Sequence, residues 1–179
     1  QQAKNRLNLM VKRTQLNFKR RYSRLKKIKI NHKRLTVEKT RILSHCLWDG
    51  HVSKWTVSYG NISESLIEEF KKDMLKVYVV LPDKEYKLTR YARQDIYVIN
   101  YYSKIICEDL LRYSPSFSTS SPKAIIPDQV LNCTDKKIVK EFLRVLWEDE
   151  GSISHDGLIR VKIKGKSIRD QLIRLHKRF

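Results

Sequence analysis

The chain has 179 residues, and its 41% content of hydrophobic residues is enough for the core of one or two small domains. No apolar run approaches the length that crosses a bilayer, and the basic N-terminal region lacks the apolar stretch of a signal peptide. These features predict a soluble, intracellular protein, either cytoplasmic, nucleoid-associated or organellar. The three cysteines are widely spaced and form no C-x-x-C pair, so they support neither a disulfide framework nor a zinc site.

The formal net charge of +19 is concentrated near the N-terminus and points to a polyanionic partner. Residues 1–40 contain fourteen Lys or Arg and a single acid, Glu38, whereas the remaining 139 residues contain 24 bases and 18 acids. Apolar residues interleave with these bases, so residues 1–34 are predicted to form a basic helical arm that contacts phosphates. A solvated tail or a ribosome-type extension is the alternative. The bases of this arm that we expect to bind nucleic acid are Arg20, Arg21, Arg24, Lys26 and Lys27.

The segment that follows the arm begins with an apolar helix and a strand. The spacing of apolar residues predicts a helix from Val37 to Trp48 that Gly50 ends, and Thr36 is expected to cap it poorly. Residues His51 to Tyr59 alternate between two sides, which predicts one half-buried strand. The polar side of this strand carries Val52, Lys54, Thr56 and Ser58.

A change of period and a group of β-prone residues predict the next elements. Asn61 and Glu64 form a variant of the capping box at the start of an amphipathic helix. The apolar stripe of this helix contains Ile62, Leu66, Ile67, Phe70, Met74, Leu75 and Val77. A hairpin and a closing helix follow at Tyr86 to Tyr91, Ile96 to Tyr102 and Lys104 to Tyr113, the last capped by Ser103.

A second apolar helix follows a Ser- and Pro-rich linker at residues 115–133. It is expected to begin after Thr134 or Asp135 as its cap and to end at Gly151, a residue type that can adopt a left-handed turn. The acids before this glycine, Glu148 to Glu150, lie at the negative end of the helix dipole, which is unfavourable without a cation or another partner. Taken alone, this acidic triplet is most simply a solvated helix end.

The chain closes with one strand and one helix. Alternation predicts the strand from Leu158 to Ile163, and helical spacing predicts the amphipathic helix from Ser167 to Phe179. The hairpin and final helix of the first segment have no counterpart here. We therefore suspect a fragment, or a shortened second half whose sheet has an open edge.

Two stretches about one hundred residues apart share an apolar helix, a terminal acid and a glycine. They are Ile42 to Gly50, with the sequence ILSHCLWDG, and Phe142 to Ile153, with the sequence FLRVLWEDEGSI. Both resemble the signature helix of the LAGLIDADG homing endonucleases, and Lys33 to Lys39 resembles the lead-in to the first motif of that family. The resemblance implies an α+β fold of two pseudo-symmetric αββαββα half-domains with saddle-shaped antiparallel sheets and paired signature helices. Residues 35–114 would form the first half-domain and residues 134–179 an incomplete second one.

The resemblance also implies a metal-dependent endonuclease that binds double-stranded DNA. In the family, the acids at the ends of the paired helices hold two or three divalent ions, usually Mg²⁺. These acids correspond to Asp49 and Glu150, and Gly50 and Gly151 complete the expected metal site. The sheets of the family lie in the major groove, which assigns DNA contacts to Lys54, Thr56, Ser58, Lys87, Arg90, Arg93, Arg160, Lys162 and Lys164. We expect a monomer, with a dimer as the alternative if the second half is shortened.

A cleavage-inactive DNA-binding regulator and an RNA-binding or maturase protein are the alternatives, so RNA stays open as a partner. The family packs its helices through small residues, whereas Ser44 and Val145 stand at the expected glycines of this chain. Trp48 and Asp149 likewise replace the small residue before each terminal acid. These side chains favour ordinary helix packing and a binding protein, whereas the two acids at their expected places favour the enzyme. His45 and the three tryptophans are expected to be packing residues.

Overall fold

The computed structural model describes residues 35–89 and 94–178 of the chain. The first seven elements follow the order αββαββα: α1 Val37–Trp48, β1 Gly50–Val52, β2 Thr56–Asn61, α2 Glu64–Tyr78, β3 Lys84–Thr89, β4 Asp95–Tyr102 and α3 Lys104–Leu111. The four strands form one antiparallel sheet in the order β1-β2-β4-β3. The predicted hairpin and closing helix are confirmed, and the Ser103 hydroxyl caps α3 by accepting a hydrogen bond from the Ile106 N–H.

Five further elements complete the described region: α4 Asp128–Leu131, α5 Lys136–Asp149, β5 Gly151–Ile153, β6 Ile159–Val161 and α6 Lys166–His176. Strands β5 and β6 pair antiparallel, so the described region is α+β with two antiparallel sheets. Asp135, one of the two predicted caps of α5, accepts a hydrogen bond from the Lys137 N–H at 2.9 Å. None of the helices within residues 35–89 and 94–178 is long and apolar enough to span a membrane.

Helices α1 and α5 lie side by side, as the resemblance predicted. The Ser44 hydroxyl donates to the Phe142 carbonyl oxygen at 2.8 Å and accepts a hydrogen bond from Trp48 Nε1 at 2.8 Å. The rings of Trp48 and Phe142 meet edge to face with their centroids 5.9 Å apart. Ser44, Trp48 and Val145 are all buried, so this interface accommodates side chains larger than glycine.

The stretch predicted as a single strand, His51 to Tyr59, is a hairpin formed by β1 and β2. Ser53 makes the turn, because its Oγ accepts hydrogen bonds from the N–H groups of Trp55 at 3.3 Å and Thr56 at 3.0 Å. The predicted alternation stops at this turn. Val52, which was expected on the polar side, is therefore buried opposite Val57.

The N-terminal end of α1 is fixed by a cap and a buried ion pair. Thr36 Oγ1 accepts a hydrogen bond from the Lys39 N–H at 3.2 Å, so the prediction of a poor cap is wrong. The Lys39 ammonium is buried against the Asp109 carboxylate of α3 and the Tyr78 hydroxyl of α2. Burial holds the Lys39 pKa below its usual value, and the charge of Asp109 opposes that shift. These contacts join three helices at one point.

Helix α2 buries Ile67, Phe70, Met74 and Tyr78 against the sheet and α1. Two residues of the predicted stripe lie elsewhere, since Ile62 is 53% exposed and Leu75 is 46% exposed. Ile62 precedes the helix, and Leu75 is rotated about 100° from Met74 around the helix axis. The buried stripe is therefore narrower than predicted.

The stretch between α3 and α5 packs against the protein. Its buried side chains include Phe117, Ala124, Ile126 and Val130. The Ile126 N–H also donates to Gln171 Oε1 on α6 at 2.8 Å. The Ser- and Pro-rich composition predicted a linker, but these apolar side chains supply part of the core.

An open, largely apolar groove of about 580 Å³ lies between α5, β6 and α6. Trp147 lines it and meets the His176 ring edge to face, with the centroids 5.9 Å apart. The indole is nevertheless 38% exposed, so Trp147 packs on one side only.

Candidate functional site

The two predicted acids, Asp49 and Glu150, occupy equivalent positions at the ends of α1 and α5. Asp49 has φ −105° and ψ 1°, and Glu150 has φ −113° and ψ −10°. Each backbone N–H donates to the carbonyl oxygen four residues earlier, at 3.2 Å for Asp49 and 2.9 Å for Glu150. A glycine follows each acid and opens a strand that pairs antiparallel with the next one. The two helix ends therefore share one local structure, as the sequence repeat predicted.

Gly50 and Gly151 are required because the chain passes close to the helix that it has just left. A Cβ atom on Gly50 would lie 2.6 Å from the Cα of Cys46, and one on Gly151 would lie 2.2 Å from the carbonyl oxygen of Trp147. The predicted left-handed turn at Gly151 is wrong, since Gly157 is the one described glycine with a positive φ, at 77°. Close backbone approach, and not a special φ, selects glycine after each acid.

The surroundings of Asp49 penalise a negative charge. Although the residue stays open to solvent on one side, partial burial of the carboxyl and the nearby charges of Asp149 and Glu150 raise its pKa to about 7. Asn61 opposes this shift, because its Nδ2 donates to Asp49 Oδ2 at 3.0 Å. The pKa of Glu150 is also raised, by burial and by Asp149. Three carboxyl groups therefore crowd the ends of the paired helices.

Asp149, on the last turn of α5, is the carboxyl that the sequence did not assign to the site. Its side chain is fully buried. Its Oδ1 accepts hydrogen bonds from the Tyr59 hydroxyl at 2.8 Å and Asn61 Nδ2 at 3.3 Å, and its Oδ2 lies 2.9 Å from His45 Nδ1. The interpretation of the acidic triplet as a solvated helix end is therefore wrong for Asp149.

His45 connects Asp149 to α2 through a further polar contact. Its Nε2 lies 3.4 Å from Glu69 Oε1, and its ring centroid lies 4.6 Å from that of Tyr59. Burial would lower the pKa of His45, but its bonds to Asp149 and Glu69 outweigh burial and raise that pKa. Burial would likewise raise the pKa of Glu69, but bonds from His45 and Arg144 lower it to about 2. His45 is an interior residue, as predicted, and it links two carboxylates.

One face of the first sheet points away from the helices and carries two of the predicted binding residues. The register sets Thr56 opposite Tyr102 and Ser58 opposite Asn100, so these two residues share that face with Tyr102. We call it the outer face and define it by Thr56, Ser58, Lys84, Tyr86, Leu88 and Tyr102. Its large side chains Tyr86, Leu88 and Tyr102 are 37%, 41% and 44% exposed. An exposed apolar surface of this kind is typical of an interaction site.

Lysine ammonium groups lie close to two exposed aromatic rings, those of Tyr86 and Trp55. The Lys84 ammonium lies 5.0 Å from the ring centroid of Tyr86. Trp55, in the turn between β1 and β2, has Lys54 at 5.6 Å and Lys104 at 5.5 Å from its ring. The indole of Trp55 is 53% exposed, so the prediction that it serves packing is wrong.

The other predicted binding residues are distributed differently. Lys87 pairs with Tyr97 in the register and so lies on the face opposite to Thr56, where its ammonium contacts Asp95 at 2.6 Å. On the second sheet Arg160 is exposed and pairs with Asp156 at 2.9 Å, and Lys162 and Lys164 are exposed just after β6. The remaining predicted residues lie outside the described ones: Arg20, Arg21, Arg24, Lys26, Lys27, Arg90 and Arg93.

The donors at the helix ends suit a hard divalent cation. Asp49 and Glu150 supply carboxylate oxygens from two helices, and such oxygens are ligands that Mg²⁺ prefers. Burial and neighbouring carboxylates raise the pKa values of both residues, and a cation would offset this penalty on their charged forms. Within residues 35–89 and 94–178, no group of three or more His, Cys, Asp or Glu has the geometry of a metal site. An ion held by these two acids would take its remaining oxygens from backbone, water or phosphate.

For two residues of the site, Asn61 and Asp149, the sequence contained a signal that the side chain lies on a buried face. Asn61 was assigned to a helix cap, but the cap is Ser63, whose N–H bonds to Asn61 Oδ1 at 2.9 Å. Asn61 follows Val57 and Tyr59 at intervals of two, which puts all three side chains on the buried face of β2. Asp149 follows the buried Val145 by four residues and so shares its face of α5.

A scan of the sequence against protein-family models finds no match, and a search of curated proteins finds none either.

Proposed function

We propose that the chain is a LAGLIDADG-type DNA endonuclease that binds duplex DNA through its sheets and hydrolyses phosphodiesters with Mg²⁺ at Asp49 and Glu150. The observation that carries the proposal is the pair of equivalent helix ends. Helices α1 and α5 pack together, each ends in an acid, and each acid precedes a glycine that leaves no room for a side chain. The αββαββα order of residues 37–111 also agrees with the order expected for one half-domain of that fold.

Phosphodiester hydrolysis brings an attacking oxygen to an anion and expels an alkoxide. A bound Mg²⁺ supplies Lewis acidity and lowers the pKa of a coordinated water. Asp49 and Glu150 would hold the ion from two helices at once, so their position depends on the packing of α1 against α5. Their raised pKa values mean that protons compete with the cation, which favours occupancy at neutral and basic pH.

The outer face of the first sheet supports a nucleic-acid partner. Lysine ammonium groups attract phosphates, and exposed aromatic rings pack against sugars and bases. Lys84 over Tyr86 on this face combines both features, as do Lys54 and Lys104 around Trp55 in the adjoining turn between β1 and β2. The net charge of +19 agrees with this partner.

A cleavage-inactive regulator of DNA, or an RNA-binding or maturase protein, is the second candidate. Asp149 stands where the family has a small residue and adds a third carboxyl beside Asp49 and Glu150. The exposed rings of Tyr86 and Tyr102 also suit stacking on unpaired RNA bases. These observations favour a binding protein in which the metal site has lost its activity.

Cleavage of a plasmid library with randomised inserts, in Mg²⁺ and in EDTA, separates the two candidates. If the protein is an endonuclease, nicked or linear products should form in Mg²⁺ and not in EDTA. Asp49→Asn and Glu150→Gln should give no product. Asp128→Asn, which changes an exposed acid on α4, is the matched control and should cut like the wild type. Tight DNA binding without any product would contradict the enzyme and leave the binding protein.

A further inference from the structure

The acids at the helix ends are joined to a network of buried polar side chains. In this network Asp49 contacts Asn61 at 3.0 Å, Asn61 contacts Asp149 at 3.3 Å, and Asp149 contacts His45 at 2.9 Å. Asn61 is 7% exposed and the Asp149 side chain is fully buried. These two residues are therefore shielded from a DNA backbone, and any effect that they have on the metal site must be transmitted through Asp49.

The orientation of the Asn61 amide is set by its neighbour in the chain. Oδ1 accepts the Ser63 N–H at 2.9 Å, so Nδ2 must point the other way. Nδ2 then donates to Asp49 Oδ2 and to Asp149 Oδ1. A reversed amide would set its oxygen against two carboxylates and its NH₂ against the Ser63 N–H, which removes three hydrogen bonds.

Asp149 is held too firmly to serve as a ligand itself. Tyr59, Asn61 and His45 contact its two carboxylate oxygens, and ligation of an ion would break these buried contacts. Asp149 therefore acts as a fixed anchor for Nδ2 of Asn61. The amide in turn engages Oδ2 of the Asp49 carboxylate.

We propose that Asn61 is a positioning residue whose amide, braced by the buried Asp149, holds the Asp49 carboxylate in one orientation for a divalent cation shared with Glu150. This inference rests on the proposed function, because it assumes that Asp49 and Glu150 bind the ion. Groups that orient metal ligands typically change metal affinity by about 10–100-fold when they are removed. Asn61 itself would contact neither the ion nor the substrate.

Titration of the full chain with Mn²⁺ by calorimetry tests this role. Asn61→Ala should weaken Mn²⁺ binding by about 10–100-fold and leave DNA affinity in EDTA unchanged. The matched control is Asn100→Ala, because Asn100 is 8% exposed and lies on the neighbouring strand, where the register puts it on the opposite face of the sheet from Asn61. Its Mn²⁺ affinity should equal that of the wild type.

The outcomes separate the inference from the proposed function. If the wild type binds Mn²⁺ and the affinity of Asn61→Ala is within about twofold of it, the positioning role is overturned and the metal site is left intact. A wild type that binds no Mn²⁺ would overturn both.

A second measurement covers the case in which Asn61→Ala does not fold. In the wild-type protein, the side-chain amide resonances of Asn61 should shift when Mg²⁺ is added, whereas those of Asn100 should not. Unshifted Asn61 resonances at saturating Mg²⁺ would overturn the inference.

Discussion

The carboxyl of Asp49 binds its proton more tightly in the folded protein than in the unfolded chain, because its pKa rises from 3.8 to about 7. Wherever the folded state holds more protons, stability decreases as the pH rises. The Asp49 carboxyl therefore does not lower the free energy of unfolding below about pH 4, where both states are protonated. Its full destabilising effect is present above about pH 7.

Asp49→Asn removes this titration while keeping an acceptor for Asn61. Without divalent ions, the variant should be more stable than the wild type at pH 8, and the difference should shrink towards pH 4. Urea unfolding at the two pH values measures it, with Asp128→Asn as the control for an exposed acid. A gain that is equal at both pH values would mean that Asp49 is not the penalised group.

At the residue scale, the sequence predicted those site residues that repeat along the chain. Asp49 and Glu150 were found because each stands between an apolar helix and a glycine. Asp149 and Asn61 have no repeated counterpart, and the sequence alone suggested an ordinary local role for each, as a helix-end acid or as a helix cap. Their part in the site depends on contacts between α5 and β2, which are distant in sequence.

At the scale of the elements, the Ser44 hydroxyl makes two buried hydrogen bonds at the interface between α1 and α5. Ser44 Oγ is the acceptor for the buried Trp48 Nε1 and the donor to the Phe142 carbonyl oxygen. Ser44→Ala should destabilise the protein by about 1–3 kcal/mol, because the indole N–H loses its partner. The double variant Ser44→Ala/Trp48→Phe should cost less than the sum of the two single changes. Additive costs in urea unfolding would contradict this coupling.

The buried contact of Lys39 with Asp109 predicts a larger effect. Lys39→Met should destabilise the protein by about 3–5 kcal/mol, because the Asp109 carboxylate stays buried without the Lys39 ammonium. Lys39→Met/Asp109→Leu should recover much of that loss. Lys104→Met, which removes an exposed pair with Glu108, should change stability by about 0.5 kcal/mol or less. Similar losses for Lys39→Met and Lys104→Met in urea unfolding would exclude a specific buried pair.

Helices were predicted more reliably than strands, for a physical reason. The bounds of α1 and α5 followed from apolar spacing and from the glycines that end them. The β1–β2 hairpin was missed because Ser53 bends the chain by side-chain hydrogen bonds that leave the apparent alternation intact in the sequence. The packing of residues 115–133 was missed because their apolar side chains are few and irregularly spaced.

At the scale of the whole molecule, the positive charge is uneven along the sequence, and this predicts how the proposed DNA binding responds to salt. Residues 1–30 contain eleven Lys or Arg and no acid. Each phosphate contact contributes about 0.9 to the slope of log affinity against log salt, so deleting these residues should flatten the slope. Any sequence preference should remain, because the outer face is unchanged. An equal slope for the deleted and full chains would show that these residues do not bind phosphate.

Asp49 and Glu150, at the ends of α1 and α5, are proposed to form one site for a divalent cation. Thermal unfolding of the wild type, Asp49→Asn, Glu150→Gln and Asp128→Asn across a series of Mg²⁺ concentrations tests it most directly. Ligand at a hundred times its Kd stabilises the folded state by about 2.7 kcal/mol, which raises Tm by several degrees. We predict this shift for the wild type and Asp128→Asn, and its loss in either site variant. The same shift in all four proteins, or no shift in the wild type, would contradict the claim.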